Sequence, residues 1–130
     1  MASSCSSDNN IGRNNPYIPN YSFSIDINMN LPMYNSLQYP SNGMVITTNG
    51  AGANGIIIFN AGSGYRAYDA NCPNQYISSC SRLVVDGIKA VCPCDELEYS
   101  LFTGLPMAKG EYPMKPYRIE QIGNMLRVYN

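Results

Sequence analysis

Residues 21–31 alternate without a break. Tyr21, Phe23, Ile25, Ile27, Met29 and Leu31 fall on one side, and Ser22, Ser24, Asp26, Asn28 and Asn30 on the other. A period of two predicts a half-buried strand, and Pro32, which has no N–H to give to a ladder, ends it. Short runs rich in β-branched and aromatic residues predict further strands at 44–48, 56–60, 65–69, 82–86, 88–92, 99–102, 117–121 and 125–129. Asp86-Gly87 is a two-residue hairpin signal, and Ala61-Gly62-Ser63-Gly64 a looser one. Only 33–39, ahead of Pro40, leaves room for a helical turn. There is no internal repeat. The pattern is that of an all-β protein.

Gly50-Ala51-Gly52-Ala53-Asn54-Gly55 matches G-x-G-x-x-G in letters. A dinucleotide fingerprint needs that loop to open a helix, whose first N–H groups hold the pyrophosphate. Here Ile56-Ile57-Ile58-Phe59 follows, which predicts a strand. The stretch is expected to be a hairpin loop.

Composition agrees and narrows the chemistry. The chain has 130 residues, enough for one domain with a core of its own, and it is rich in Gly, Pro and Asn. Net charge is −1 with 13% charged residues, so no basic field exists to hold nucleic acid. No apolar run approaches the roughly 18–20 residues that span a bilayer. There is no histidine. Serine triads, cysteine–histidine dyads and zincins, all of which need imidazole, are excluded.

Five cysteines remain, at 5, 72, 80, 92 and 94. Cys5 stands apart, after small residues and ahead of a polar stretch reaching about residue 20, like the end of a bacterial lipobox and its tether. Cys5 is therefore expected to carry lipid, and 1–20 to be a flexible leader before a single domain at 21–130. An even set of four cysteines suits an oxidising envelope compartment, and a cytoplasmic protein with a stray thiol is the alternative.

Cys72-Pro73-Asn74 and Cys92-Pro93-Cys94-Asp95 give C-x-N and, seventeen residues later, C-x-x-D. This spacing resembles the Rieske iron–sulfur domain, which has C-x-H and C-x-x-H. Tyr99 and Thr103-Gly104 stand where that family has an aromatic residue and a turn. Residues 65–70 resemble the strand entering the first ligand loop, and Pro116-Tyr117-Arg118-Ile119 the closing strand. The likeness runs from about residue 43 to 130. It implies an all-β fold of antiparallel sheets with a small loop-bearing unit at 71–106.

The resemblance also implies what is lost. A Rieske [2Fe–2S] centre is held by two cysteines and two histidines. The histidine positions are Asn74 and Asp95 here, and Glu96 replaces the glycine that usually follows the second. No cofactor is expected, the [2Fe–2S] cluster being the alternative. In its place the resemblance implies a Cys72–Cys92 disulfide, with Cys80–Cys94 as a second bridge of the same loops. Four cysteines allow three pairings, which the sequence leaves open.

Asp95, Glu96 and Glu98 are an acidic cluster that a metal could use, although three acids in a loop are usually only solvated. Asp95 and Glu98 as a general acid–base pair would need a cleft, for which there is no sign, so an enzyme is not expected. Tyr76, Tyr99 and Tyr112 near the loop tips would suit a protein partner, or would simply line the sheet margin. The expectation is a non-catalytic, lipid-anchored module of the bacterial envelope with structural or interaction work at the former cluster tip. An electron carrier with unusual ligation, or a dithiol carrier using Cys72 and Cys92, is the rival.

Overall fold

The structure is a computed structural model that describes residues 15–47, 51–108 and 112–130. Among the described residues nine strands run in the order β1 (Ser24–Asn28), β2 (Gly43–Ile46), β3 (Ile56–Asn60), β4 (Tyr65–Asp69), β5 (Val84–Asp86), β6 (Lys89–Val91), β7 (Glu98–Ser100), β8 (Pro116–Ile122) and β9 (Met125–Tyr129). A single 3₁₀ turn, Asn35–Gln38, occupies the stretch expected to be helical. Every pairing is antiparallel. Six strands form one sheet in the order β1-β9-β8-β4-β3-β2, and β5-β6-β7 form a second, smaller one.

Strand β3 organises the interior, since its five residues are all buried. Side chains alternate across a strand, so Ile56 and Ile58 point into one apolar cluster with Ile25, Ile27, Met29, Leu37, Leu126 and Val128. Ile57 and Phe59 point into the other, with Tyr68, Leu83, Ala90, Tyr99, Leu101, Met114 and both Cys72 and Cys92. A continuous apolar run is what a strand covered on both faces requires. Each fully buried isoleucine contributes on the order of 2 kcal/mol relative to exposure. The second cluster is the floor on which the cysteine loops rest.

Three local expectations are corrected. The strand expected over 21–31 shrinks to β1, and Tyr21 and Leu31 are exposed. Asn28 makes a tight turn there, its Oδ1 accepting from the Asn30 N–H and its carbonyl from the Leu31 N–H. In the β5–β6 hairpin Asp86 pairs with Lys89, so the two-residue loop is Gly87-Ile88, one position later than Asp86-Gly87. Gly87 alone supplies the positive φ, at 65°. Finally, residues 15–20, placed with the leader, are partly built in: Asn15 and Ile18 are buried. Residues 1–14, Cys5 among them, lie outside the described residues, as do Thr48 and Gly50.

Ala51–Gly55 forms the β2–β3 connection and not a helix start. Its ligand is a side chain of the chain itself. The Ala53 N–H donates to Asp69 Oδ2 at 2.6 Å, and Gly52, at φ 67°, lies so near that a Cβ would stand 2.7 Å from the same oxygen. The glycine-rich loop wraps a buried carboxylate, for the reason such loops suit anions in general: bare backbone N–H groups can approach closely.

Candidate functional site: the disulfide-closed loop pair

Two loops face one another beyond the ends of β4 and β6. The first leaves β4 and is closed at its base by the Asn71–Arg82 bridge, by Leu83 N–H to Ala70 O (2.7 Å) and by Cys72 N–H to Ser81 O (2.6 Å). The second is a tight turn over 92–97, in which the Cys92 N–H donates to Leu97 O and the Glu96 N–H to Cys92 O. The loops are bridged twice. Cys72 is bonded to Cys92, with Cα atoms 5.7 Å apart, and Cys80 to Cys94, with Cα atoms 5.0 Å apart. This is the pairing that the resemblance implies.

The bridges sit in different surroundings. Cys72 and Cys92 have no exposed surface and belong to the apolar floor. Cys80 is exposed and Cys94 half-buried. A dithiol carrier working through Cys72 and Cys92 is thus at odds with the packing, because a partner thiol has no route to either sulfur.

The other two ligand positions are occupied by internal hydrogen bonds. Asn74 Nδ2 donates to Tyr99 Oη (2.9 Å) and to the Tyr112 carbonyl (3.1 Å), while its Oδ1 accepts from the Tyr112 N–H (3.0 Å). Asp95 accepts from Gln75 Nε2 at Oδ2 (2.9 Å) and from the Leu97 N–H at Oδ1 (3.0 Å). The carboxamide thereby staples the first loop to the segment before β8, and the Gln75–Asp95 pair joins loop to loop. Tyr99 is fully buried, and burial pushes its phenol up from the ordinary value. It is a core residue with a satisfied hydroxyl, not part of an exposed tip.

These donors do not fit a Rieske cluster. Two thiolates and two neutral imidazoles are needed. Here both sulfurs are joined, no imidazole exists in the chain, and the amide and carboxylate are committed to other partners. Nor are Asp95, Glu96 and Glu98 brought together: Glu98 pairs with Lys89 at 3.2 Å, and no group of three or more Cys, Asp or Glu side chains among the described residues could hold an ion. No described helix is long and apolar enough to cross a membrane.

Glu96 has φ 62°, the left-handed region that favours glycine. A side chain there costs about 1 kcal/mol. Glu96→Gly is therefore expected to raise the melting temperature by about 3 °C in calorimetry, with Glu96→Ala unchanged. A fall in the glycine variant would show that the glutamate makes a compensating contact.

Sequence reasoning missed the contribution of the N-terminal segment. Asn15 Nδ2 donates to the Pro73 carbonyl at 2.7 Å. The Tyr17 ring meets Tyr76 edge-on at 4.6 Å and Tyr112 at 5.9 Å. A turn signal, Asn15-Pro16, was present, but its partners lie more than fifty residues away. The tip thus carries an aromatic cluster of Tyr17, Tyr76 and Tyr112, with Tyr76 and Ile77 exposed.

No protein-family model matches the chain, and no curated protein matches it. Solved structures do. A chain from the complex of reduced oxygenase and oxidized ferredoxin in carbazole 1,9a-dioxygenase aligns with TM-score 0.54 at 17% identity, over 83% of this chain and 92% of that one. A protein described as the small subunit of an NADH-dependent nitrite reductase from Mycobacterium tuberculosis aligns with TM-score 0.53 at 14% identity, over 85% and 97%. A ferredoxin of Sphingomonas yanoikuyae B1 gives 0.50 at 14%, over 71% and 88%. The fold is Rieske-like. At these identities the likeness concerns the backbone alone, and function rests on the site.

Proposed function

We propose that this chain keeps a Rieske-like scaffold whose cluster site has been closed by disulfides, and that it works as a non-catalytic structural or interaction module of the bacterial envelope, tethered by lipid at Cys5. The observation that carries the reading is the buried Cys72–Cys92 bond, flanked by Asn74 and Asp95 with their polar atoms already engaged. A covalent bridge ties the two loops as a bound centre would, contributing roughly 3 kcal/mol for a loop of this length. Persistent disulfides agree with an oxidising compartment. The aromatic cluster at the tip gives rigid contact area for a protein partner.

One preparation tests both halves. Protein isolated from the membrane fraction of its own cells is expected to be colourless, to contain neither iron nor sulfide, and to lack the four thiol hydrogens given up to two disulfides. Its intact mass should include an acylated glyceryl group on Cys5. Stoichiometric iron with visible absorption would establish the electron-carrier alternative. An unmodified Cys5 would remove the tether.

A further inference from the structure

We propose that the Cys80–Cys94 bond is a thiol–disulfide exchange site that accepts two electrons from a protein dithiol, while the Cys72–Cys92 bond stays intact as the frame. The inference rests on the closed-loop reading above and adds a chemistry to it.

Access separates the two bridges. Exchange begins when a thiolate reaches a disulfide sulfur, so exposure decides which bond reacts. Cys80 lies at the exposed end of the first loop, directly after exposed Tyr76, Ile77, Ser78 and Ser79. Cys72 and Cys92 are sealed in the floor.

The outer bond is also dispensable to the fold in a way the inner one is not. With it open, the loops remain held by Cys72–Cys92, by Gln75 to Asp95, and by Asn74 to Tyr99 and Tyr112. The pair can therefore cycle without unfolding the domain. What opening releases is the 76–80 segment, and with it the exposed Tyr76 and Ile77.

Ser78 completes the geometry. Its Oγ lies 3.6 Å from Cys80 Sγ and 3.6 Å from Cys94 Sγ, so one hydroxyl can serve whichever sulfur takes the charge. In the reaction a partner thiolate attacks Cys80 Sγ and the Cys80–Cys94 bond breaks. The Cys94 thiolate leaves, accepts the Ser78 hydrogen bond and then takes a proton from solvent. The partner's second thiolate attacks its own sulfur in the mixed disulfide and expels the Cys80 thiolate, which is also protonated. Two electrons and two protons pass to the pair, and the partner dithiol becomes a disulfide. The hydroxyl matters because Asp95 and Glu96 follow Cys94 within the same 92–97 turn, so the turn that carries the leaving thiolate also carries two acidic side chains. Replacing Ser78 leaves the loop in place, since its backbone is what bonds Ser81: the Ser78 N–H donates to Ser81 Oγ, and Ser81 Oγ donates to the Ser78 carbonyl.

The test uses the full chain and its Cys5→Ser variant, exposed in turn to dithiothreitol and to a reduced thioredoxin, quenched in acid, alkylated and mapped by mass. Cys80 and Cys94 should be alkylated together at least about tenfold faster than Cys72 and Cys92 with either reductant. A thioredoxin lacking its resolving cysteine should be trapped on Cys80, not Cys94. Ser78→Ala should slow the exchange by about threefold to tenfold, the worth of one hydrogen bond, without changing which pair reacts. Equal rates at both bridges, earlier labelling of the inner pair, or reaction with dithiothreitol but not with thioredoxin would each overturn the proposal. An unchanged rate in Ser78→Ala would remove the hydroxyl from it. Iron, or free Cys72 and Cys92 thiols before any reductant is added, would instead count against the closed-loop reading itself.

Discussion

Replacing Cys72 and Cys92 together by alanine is expected to lower the unfolding free energy by about 4 kcal/mol, against about 3 kcal/mol for the same change at Cys80 and Cys94. Loop closure alone does not separate the two bridges, because the chain between the partners is of similar length, with separations of 20 and 14 residues. Packing does. The inner sulfurs fill space among Ile57, Phe59, Leu83 and Tyr99, so their removal also leaves a small cavity. The outer pair stands against water on one side. For a domain whose total stability is about 5–15 kcal/mol, the inner change approaches a third or more of the whole. Urea titration of both double variants checks this, read by midpoint at unchanged slope. If the outer pair proved the costlier, the division into frame and reactive bond would fail.

Asp69→Ala is expected to cost about 3 kcal/mol, since three donors lose their acceptor at once. Asp69 is fully buried, with Oδ2 accepting from the Ala53 N–H and from Tyr117 Oη (2.5 Å) and Oδ1 from the Asn71 N–H (2.8 Å). It ties β4 to the glycine-rich loop, to β8 and to the residue before Cys72. Burial is the strongest influence on its carboxyl and pushes it above the ordinary range, against the pull of those three donors and of the Asn54 N–H. The native state therefore holds this proton more tightly than the unfolded chain does. Its stabilising contribution is complete below the ordinary carboxylate value and declines as pH rises through the raised one. Urea midpoints of wild type and variant from about pH 4 to pH 7 should converge as pH rises. A gap that widens with pH would mean that the donors outweigh burial and hold the carboxylate charged.

Much of the fold was legible because its signals are local. Ile56–Asn60, Tyr65–Asp69 and Met125–Tyr129 carry β-branched and aromatic runs bounded by glycine or asparagine, and their strands match the expected limits. The ends of β1 and the β5–β6 turn were misplaced because each depends on a partner. Residues 21–23 and 29–31 have the right alternation, but β9 reaches only Ser24–Asn28. The hairpin register is set by Asp86 facing Lys89, which leaves Gly87-Ile88 as the loop, whereas the Asp-Gly signal would have paired Val85 with Ile88.

Cysteine spacing made the facing loops visible, together with the resemblance it carried. What hid was the long-range polar bonding. Asn74 finds Tyr112 across 38 residues, and Asn15 finds Pro73 across 58. Neither has a periodicity that would reveal it. The glycine-rich loop was rightly denied a helix, but its carboxylate, Asp69, is a tertiary partner that no motif announces.

Asn15 and Tyr17 fix the start of the described chain against the first loop. Ten peptide units separate Cys5 from Asn15, and covalent geometry limits such a leash to about 35 Å. With the lipid proposed at Cys5, this leash would hold Asn15, and the Pro73 carbonyl it bonds, within about 35 Å of the acyl anchor, which sets how far the disulfide-closed loops could stand from a bilayer.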